Sequence, residues 1–528
     1  MIKIFVKGYA HGEGYFCKAV GLPSGYLIDL AFLNEELKSR RKGIGRSQRM
    51  LIENDEFVVV SGLDKQGKTD GTPFVVFIKN MDNDIDNKPP ITALRSGHAD
   101  LAACVKLGLK DARIVCELAS ARRTVAYTLI GAICKQILKS KNIFTYSRVM
   151  SIGKVSTNKT FDYFKDIQIV KGSNINTNDL AASADMEQEI TAAKQAGDSI
   201  GGRVEVGCIN APIGLGDFVD YDKRFDGVLA QKMMSIPGVK ALSFGIGESY
   251  GEKLNSEVAD KLTVDEKGNI SYLTNNCGGI VAGLTNGAPI IMHLTVKPVP
   301  TTKKGVETVD IETIQPALSH YERSDVCIVP NVGVIAENIL ATTVLDLIIS
   351  QESSVSFSKF DVANFNEDTL FVTDSKLIDL IDFKDRDVFV LSRGERAKSL
   401  RNAALLLKYM ADKNLSKTDT VVAVGGGVIS DIVGFVASVY KRGIDYINVP
   451  TTLLAMVDAS IGGKNALNVG GIKNAVGSIY LPKNTVIDYD FLKTNSKKMI
   501  QEGFGEIVKC ALLNKQIFEA LKAKEDIS

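Results

Sequence analysis

The feature that most constrains the fold of this 528-residue chain is a change of character near residue 350. Beyond that point strand-like and helix-like segments alternate, which predicts a parallel sheet flanked by helices. Before it, short strands and helices are mixed without a clear alternation. The polar segment 351–365 separates the two parts, so we expect a domain boundary near residue 350. At roughly 150 residues per domain, the length predicts about three to four domains.

Periodicity places individual elements in both parts. In the second part, strands are predicted at 370–373, 388–391, 421–424 and 446–449, with helices at 399–413 and 430–440. In the first part, apolar residues at spacing four predict a helix that Ser120 could cap; they are Val125, Leu129, Ile133 and Ile137.

Composition excludes several classes of protein. The 63 Lys and Arg residues nearly balance 62 Asp and Glu residues, so no net charge favours nucleic acid or membrane. Uninterrupted apolar runs fall short of the roughly 18 residues of a membrane span, and residues 1–9 lack a secretory apolar core. Eight cysteines without a CxxC pair predict reduced thiols. We expect a cytoplasmic protein that binds small molecules, without a nucleic-acid or membrane partner.

Arginine and histidine residues accompany Gly-rich polar segments in the first part. Guanidinium groups bind phosphate and carboxylate through paired hydrogen bonds, which indicates an anionic small molecule. Histidine is the side chain whose ordinary pKa suits proton transfer near neutral pH. The chain has four histidines, all before residue 350: His11, His98, His293 and His320. His293 lies in an apolar run and is interpreted as structural, and no motif surrounds His320.

Five ordered segments of the first part resemble chorismate synthase: SGHADLAACVKLGLKD, ASARRTVAYTLIGAICKQIL, MMSIPGVKALSFG, NNCGGIVAGLTNGAPI and RSDVC. The resemblance covers about residues 1–350 and implies a β-α-β sandwich, a homotetramer and bound reduced FMN. The family converts 5-enolpyruvylshikimate 3-phosphate to chorismate by 1,4-anti elimination of phosphate.

The resemblance also implies roles for single residues. His11 would be the acid for the leaving phosphate, His98 the proton partner of the flavin, and Asp325 the acidic group near flavin N5. Substrate would bind Arg40, Arg46, Arg95 and Arg122, and some family members use the first two for NADPH when they reduce their own flavin. The implied FMN contacts are Ala119, Ser120, Gly283, Lys297, Pro298, Val299, Pro300, Thr301 and Arg323.

The first part departs from the family pattern at a few positions. Tyr9 and Ala10 replace an acid and a hydroxyl, Leu118 replaces a flavin-contacting arginine, and Arg123 replaces a glutamate. These departures leave open a second hypothesis, in which the protein is a flavin- or nucleotide-binding scaffold whose catalysis has decayed.

The second part contains VVAVGGGVISDIVGFVA, a predicted strand, three-glycine turn and helix that bears Asp431. Glycines at such a turn let backbone amides approach a pyrophosphate at a helix N-terminus. Lys464, Lys473 and Asn474 follow Asp458 downstream. Ammonium and amide groups beside a dinucleotide suit a phosphorylated, carboxylated sugar acid.

Residues 355–528 closely resemble 3-dehydroquinate synthase, an NAD- and metal-dependent enzyme that cyclises 3-deoxy-arabino-heptulosonate 7-phosphate. The resemblance implies a Rossmann-like NAD-binding domain at 351–490 and the start of a helical domain at 491–528. Substrate would bind Arg442, Asp458, Asn474 and Lys509, and Glu506 would be a metal ligand. The implied NAD contacts are Gly394, Glu395, Lys398, Gly426, Gly427, Val428, Ile429, Ser430, Asp431, Thr451, Thr452, Lys464, Lys473, Phe491, Leu492, Lys493 and Thr494.

The metal site of the second part is expected to be incomplete. The family holds zinc or cobalt with one Glu and two His from its C-terminal helical domain, yet no His follows His320. Only 22 residues follow Glu506, too few for that domain. We therefore expect the second part to bind NAD without making dehydroquinate. Iron-type alcohol dehydrogenases share the glycine turn and remain the alternative for this part.

Overall fold

In a computed structural model of the chain, the described residues are 2–47, 52–264, 268, 270–351, 355–417, 419–513 and 515–522. Contacts divide the chain into two compact units, Met1–Gln351 and Glu352–Ser528. Each unit has its own hydrophobic core.

The first unit contains fifteen strands among its described residues. They are β1 (Lys3–Gly8), β2 (Gly14–Val20), β3 (Phe57–Ser61), β4 (Phe74–Lys79), β5 (Phe144–Ile152), β6 (Val155–Ser156), β7 (Gly202–Ile209), β8 (Val239–Phe244), β9 (Leu262–Val264), β10 (Ile270–Tyr272), β11 (Ile280–Val281), β12 (Leu284–Thr285), β13 (Ile290–Val296), β14 (Glu307–Val309) and β15 (Pro316–Leu318).

Nine α-helices lie among the same residues. They are α1 (Leu30–Arg41), α2 (Asp100–Leu107), α3 (Arg113–Ala119), α4 (Thr124–Ser140), α5 (Tyr163–Gly172), α6 (Leu180–Gln195), α7 (Phe225–Met234), α8 (Asn255–Val258) and α9 (Val329–Gln351).

Two antiparallel sheets enclose a layer of helices in the first unit. One sheet has the strand order β1-β2-β4-β3, and the other β6-β5-β7-β13-β8. Helices α1, α4 and α9 pack on one another, α4 contacts β2, and α9 contacts β5 and β7. The shared core joins Val76 of the first sheet, Leu129 of α4, Leu340 of α9 and Val204 of the second sheet. The predicted β-α-β sandwich is confirmed.

Helix α4 confirms the prediction made from spacing. Its four predicted core residues are fully buried or nearly so. Burying each such side chain contributes roughly 1.5–3 kcal/mol of transfer free energy. Ser120 caps the short 3₁₀ turn Ala121–Arg123 that leads into α4, by accepting a hydrogen bond from the Arg122 amide.

Helix α9 is more apolar than the sequence analysis indicated. Its segment Val329–Ser350 is long and apolar enough to cross a membrane by length and composition, with mean hydropathy 1.8. The expectation from uninterrupted runs missed it because polar residues such as Glu337 and Asn338 break the run. In the structure 72% of its most apolar window is buried, between α4 and the second sheet. The burial is that of a core helix.

The second unit is built on a six-stranded sheet of order β16-β23-β20-β19-β17-β18, in which every neighbouring pair is parallel. Its strands are β16 (Val355–Phe357), β17 (Leu370–Asp374), β18 (Val388–Leu391), β19 (Thr420–Gly425), β20 (Asp445–Pro450), β21 (Lys464–Val469), β22 (Ile472–Ile479) and β23 (Asn484–Ile487). Its helices are α10 (Leu400–Asp412), α11 (Gly427–Val439), α12 (Lys497–Leu513) and α13 (Lys515–Lys522). The predicted strand–helix alternation and parallel sheet are confirmed.

Candidate active site

A cavity of about 380 Å³ in the first unit gathers residues that are far apart in sequence. Of the site residues predicted there, all but Gly283 line it: His11, His98, Asp325, Arg40, Arg46, Arg95, Arg122, Ala119, Ser120, Lys297, Pro298, Val299, Pro300, Thr301 and Arg323. Gly283 lies in the turn between β11 and β12, with φ +85°. Its FMN contact stays a prediction.

His11 lies in the turn between β1 and β2 and is held by Glu117 of α3. The His11 Nδ1 atom lies 2.7 Å from Glu117 Oε1, and the backbone N–H of His11 donates to Glu117 Oε2 at 2.7 Å. Both residues are buried. Burial raises the pKa of Glu117, but the His11 hydrogen bonds and nearby Arg113 outweigh burial and lower the pKa overall. Glu117 is thus a buried carboxylate that receives hydrogen bonds.

His98 lies in the turn that precedes α2 and has a similar carboxylate partner. Its Nδ1 atom lies 2.7 Å from Asp100 Oδ1, and Arg95 binds Asp100 through Nε and Nη2 at 2.8 and 2.7 Å. Burial raises the pKa of Asp100, but Arg95 and His98 lower it well below its usual range. The Arg95–Asp100 pair therefore fixes both the guanidinium and the imidazole at the cavity wall.

Asp325 and Arg46 form a pair at another part of the wall. The Arg46 Nη1 atom lies 2.5 Å from Asp325 Oδ2 and 2.7 Å from Asn331 Oδ1, and the Ser47 amide donates to Asp325 Oδ1 at 2.7 Å. Burial lowers the pKa of Arg46, although Asp325 opposes this. Asp325 is held in place by a cation and a backbone amide.

Three arginines converge on Asp55, which lies in the segment between α1 and β3. Arg122 pairs with Asp55, the Nε atom of Arg41 lies 3.2 Å from Asp55 Oδ2, and Arg40 Nη1 lies 3.7 Å from the same oxygen. Burial lowers the pKa of Arg40 to about 10 despite Asp55. We call Asp55 with Arg40, Arg41 and Arg122 the arginine floor.

Arg122 and Arg40 differ in how much of the guanidinium is already bound. Arg122 also donates to Asn80 and Glu53, so its nitrogens are engaged by protein acceptors. Arg40 Nη1 is buried, makes no hydrogen bond to the residues that the structure describes, and lies 3.7 Å from Asp55 Oδ2. Both guanidinium groups are therefore held in the arginine floor, that of Arg122 by more hydrogen bonds to acceptor side chains.

Two further cations lie at the cavity. Lys297 donates to the backbone carbonyl of Gly97 at 2.5 Å, and burial together with Lys240 lowers its pKa. Arg323 donates to Asp82 at 2.8 Å and remains 45% exposed. Both lie where an anionic ligand entering from solvent would meet them.

Tyr9 and Leu118, which stand where the family pattern has other residues, are 43% and 44% exposed. Each adjoins a cavity residue in sequence, Ala10 and Ala119 respectively. Two of the departures from the family pattern therefore lie at the solvent side of the site.

In the second unit, the glycine turn lies at the carboxyl edge of the parallel sheet. The turn links β19 to α11, whose first residue is Gly427. A Cβ at Gly425 would lie 2.5 Å from the Ile429 side chain, so the turn requires glycine there. Thr451 follows the neighbouring strand β20, and its amide donates to the Gly425 carbonyl. Carboxyl edges of parallel sheets are where dinucleotides bind.

Other predicted NAD residues reach the same edge from β18 and β23. The turn that contains Gly394, Glu395 and Lys398 follows β18, and the short helix Tyr489–Thr494 follows β23. The latter carries Phe491, Leu492, Lys493 and Thr494. Asn495 ties this helix to the sheet, since its Nδ2 donates to the carbonyls of Thr451 and Phe491.

Lys398 joins the turn after β18 to two other elements. Its ammonium group pairs with Asp431 of α11 and donates to Asn474 Oδ1 of β22 at 2.6 Å. Burial raises the pKa of Asp431, and Lys398 only partly offsets this. Lys464 and Lys473 lie on the exposed β21–β22 hairpin. The structure thus joins Lys398, Asp431 and Asn474.

Arg442 is placed apart from this edge. It follows α11 and precedes β20, so it lies at the amino edge of the sheet. Because α11 has 13 residues, its two ends are about 20 Å apart. Asp458 lies in the one-turn π-helix Ala455–Ala459, against which α12 packs. The substrate role of Arg442 stays a prediction.

Glu506 on α12 pairs with Lys509 one turn later. Among the described residues, no group of three or more His, Cys, Asp or Glu side chains is arranged to hold a metal ion. The donors that the described residues provide therefore do not fit a complete zinc or cobalt site.

Sequence reasoning missed the carboxylates that support the cavity residues. Asp100 lies two residues after His98 in the segment SGHAD, so an acidic residue near that histidine was the available signal. Glu117 lies 106 residues from His11 and just before the segment that begins ASARRT, so no sequence signal linked the two. Asp82 and Asp55 lie in segments that no motif marked. Only the fold brings them to the cavity.

Comparison with known proteins assigns the first unit. The family model described as chorismate synthase matches residues 2–349. The chain belongs to the chorismate synthase family. A chorismate synthase of Caldicellulosiruptor bescii is 37% identical over 360 residues, which cover 65% of this chain and 93% of that relative. A solved chorismate synthase crystal structure is 28% identical with a TM-score of 0.54, covering 66% of this chain and 92% of that chain.

A second family model, described as 3-dehydroquinate synthase N-terminal, matches residues 388–502. The chain is therefore a fusion of a chorismate synthase domain with the N-terminal domain type of 3-dehydroquinate synthase, and both families are lyases. The structure of a 2-epi-5-epi-valiolone synthase from Streptomyces hygroscopicus with NAD⁺ and Zn²⁺ bound is 30% identical, with a TM-score of 0.28. It covers 30% of this chain and 49% of that chain.

Proposed function

We propose that the cavity of the chorismate synthase domain converts 5-enolpyruvylshikimate 3-phosphate to chorismate and phosphate, with reduced FMN bound beside the substrate. One observation carries this proposal. Two carboxylate-bound histidines, Asp325 and four predicted substrate arginines line the same cavity. Substrate and cofactor both carry phosphate, and the cavity is rich in guanidinium groups.

The residues present fit FMN. Lys297 and Arg323 line the cavity and provide positive charge for its phosphate. Ala119 and Gly238 are small wall residues beside which a flat ring has room. When bound, reduced FMN supplies electron density that promotes loss of the allylic phosphate.

The side chains have distinct roles in the proposal. His11 protonates the departing phosphate, because the negative charge that develops on its oxygen must be neutralised. His98 and Asp325 exchange and hold protons on the flavin side. Arg40, Arg46 and Arg95 orient the phosphate and carboxylates of the substrate, which reduces the entropic cost of reaching the transition state. Arg122 mainly holds Asp55 and thereby the other arginines of the arginine floor in position.

The direct test is an anaerobic incubation of the purified chain with 5-enolpyruvylshikimate 3-phosphate and reduced FMN. We expect chorismate to form, as measured by its ultraviolet absorbance and by release of inorganic phosphate. Tight binding of flavin and substrate without turnover would favour the second hypothesis, that of a scaffold with decayed catalysis. A second assay with oxidised FMN and NADPH in place of chemically reduced FMN tests whether the chain reduces FMN itself.

The 3-dehydroquinate synthase domain is proposed to bind NAD at the carboxyl edge of its sheet. Support comes from the glycine turn, from Thr451 hydrogen-bonded to it, and from the Lys398–Asp431 pair. The proposal extends to a cytoplasmic homotetramer assembled through the chorismate synthase domain. Size-exclusion chromatography with light scattering tests the assembly, and isothermal titration with NAD tests the binding.

A further inference from the structure

We infer that Glu117 is the positioning residue that sets which ring nitrogen of His11 carries the proton. Its carboxylate holds the imidazole in the Nδ1–H form, so that His11 exchanges protons with substrate through Nε2. The inference deepens the proposed function and rests on the role of His11 as an acid.

The geometry is a two-point contact. One carboxylate oxygen of Glu117 receives the backbone N–H of His11, and the other lies 2.7 Å from Nδ1. Glu117 is 1% exposed and its pKa is lowered, so it is an ionised group away from water. An ionised carboxylate only accepts hydrogen bonds. Nδ1 must therefore be the donor.

Asp82 is a second carboxylate close to the His11 ring. Asp82 Oδ2 lies 3.7 Å from Nε2, beyond hydrogen-bond distance, and it accepts a hydrogen bond from Arg323. Lys88 lies 3.9 Å from the other oxygen of Asp82. Arg113 lies 4.0 Å from Glu117 and favours its ionised form. Of these two carboxylates, Glu117 is the one within hydrogen-bond distance of the ring.

His98 offers a comparison in the same cavity. Its Nδ1 atom lies 2.7 Å from a buried carboxylate oxygen of Asp100 but also 3.1 Å from Nη2 of Arg95, which can only donate, so its contacts are mixed where those of His11 Nδ1 and Glu117 are not. The nitrogen that is bound by protein fixes the tautomer and so determines which nitrogen is left for chemistry. Both histidines at the cavity are therefore supported through Nδ1.

Replacing Glu117 by glutamine gives a sharp consequence. The glutamine side chain has one acceptor oxygen and one donor NH₂ group. The backbone N–H of His11 can only donate, so it takes the amide oxygen, and the NH₂ group then faces Nδ1. Nδ1 must become an acceptor, which moves the proton of the neutral imidazole to Nε2 and disfavours the doubly protonated acid.

The experiment reads the tautomer directly. The full chain is labelled with ¹⁵N-histidine, and with four histidines the His11 signals are assigned by their loss in His11→Ala. At a pH at which the imidazole is neutral, we expect the Nδ1–H pattern in the parent chain and the Nε2–H pattern in Glu117→Gln. The same tautomer in both proteins would overturn the inference.

Kinetics give a second readout. Glu117→Gln should lower kcat for chorismate formation by roughly 10²-fold, with KM changed less than about 3-fold, because proton transfer and not binding is lost. Glu117→Asp keeps both acceptor oxygens and should retain the Nδ1–H tautomer and more of the rate. If circular dichroism shows that Glu117→Gln does not fold, the Glu117→Asp variant is used for the test instead. An Nε2–H pattern in Glu117→Asp would overturn the inference.

The matched control is Glu205→Gln. Glu205 is also a buried carboxylate beside a histidine, with its Oε2 atom 3.4 Å from Nε2 of His293, but it does not line the cavity. Glu205 also pairs with the buried Arg148 at 2.8 Å, so circular dichroism and a denaturation curve must first show that the variant folds. In the folded variant we expect kcat and KM to match those of the parent chain. If His11→Ala lowers chorismate formation while Glu117→Gln changes neither tautomer nor kcat, the positioning role is wrong and the proposed function stands. If His11→Ala leaves the rate unchanged, the acid role of His11 is wrong, and the tautomer measurement alone decides the hydrogen-bonding claim.

Discussion

At the scale of single residues, the cavity is supported by carboxylates that bind its histidines and arginines. Glu117 binds His11, Asp100 binds His98 and Arg95, and Asp325 binds Arg46. Each contact leaves a hydrogen-bonding group in one orientation before a ligand arrives, which reduces the cost of ordering it during catalysis. The residues that line the cavity were predictable from motifs, whereas Asp82 and Asp55 were not, because only the tertiary fold brings them near.

Substitution of the two cavity histidines tests their roles as proton donors and acceptors. We expect His11→Ala and His98→Ala each to lower chorismate formation by about 10²–10⁴-fold, the range that a positioned acid or base contributes. Circular dichroism should show the parent fold in both variants. His293→Ala, at a histidine outside the cavity, is the control and should keep the parent rate. Near-parental rates in both cavity variants would contradict the assignment.

Leu118→Arg tests the most informative departure from the family pattern. Leu118 is 44% exposed and adjoins Ala119 of the cavity, so an arginine there has room and would face an anionic cofactor. We expect FMN to bind several-fold more tightly in a fluorescence titration, with the difference shrinking as salt is raised. Leu118→Gln, of similar polarity but without charge, is the control. Unchanged or weaker binding would show that the pocket has been rebuilt around Leu118.

At the scale of elements, the sequence predicted helices α4, α10 and α11 and strands β17 to β20, but not the other helices of the first unit or the hairpin β21–β22. The strands β17 to β20 are short apolar runs bounded by turns, and α4 has a strict spacing of four. In the hairpin β21–β22, strand β22 is mostly exposed and β21 buries Asn465 and Leu467, one polar and one apolar residue, so apolar residues do not alternate with polar ones along it. Its Gly470–Gly471 turn was the available signal.

The crossing of α4 and α9 depends on one glycine. A Cβ at Gly131 would lie 2.4 Å from the backbone oxygen of Asn338, so the two helices approach too closely for a methyl group. Gly131→Ala should therefore destabilise the first unit by about 1–3 kcal/mol, as overpacking typically does, measured by urea denaturation.

The control for this variant is Gly172→Ala, at the end of α5, where a Cβ would meet nothing within 4 Å. That variant should be neutral or slightly stabilising, because alanine reduces the freedom of the unfolded chain. Equal stability of Gly131→Ala and the parent chain would mean that the helices separate at little cost.

At the scale of the whole molecule, two domains of lyase families share one chain. Their reactions are not consecutive in the shikimate pathway, so transfer of an intermediate between them is not expected. Family resemblance predicted both domain types, because motifs such as SGHAD and the glycine turn are local in sequence. It did not predict which residues of each site are already bound by protein, which depends on packing.

The second domain should bind NAD, but its described residues should not by themselves hold the metal that dehydroquinate formation requires. Glu506 pairs with Lys509, and the described residues contain no cluster of three metal-binding side chains. One carboxylate rarely holds a zinc-like ion alone. The checks are metal content by mass spectrometry and an assay with the heptulosonate phosphate and NAD. Turnover with stoichiometric zinc would refute this expectation. As a control for the NAD assay, Asp431→Asn disrupts the pair with Lys398 and should weaken NAD binding.

The arginine floor has a consequence for how this protein evolves. Loss of Asp55 would remove the carboxylate that Arg40, Arg41 and Arg122 share in a buried region, so a change at Asp55 is expected to require matching changes among these arginines. Tyr9 and Leu118 carry no such constraint, since both are more than 40% exposed. We therefore expect substitutions to accumulate around the mouth of the cavity, and the residues of the arginine floor to change together or not at all.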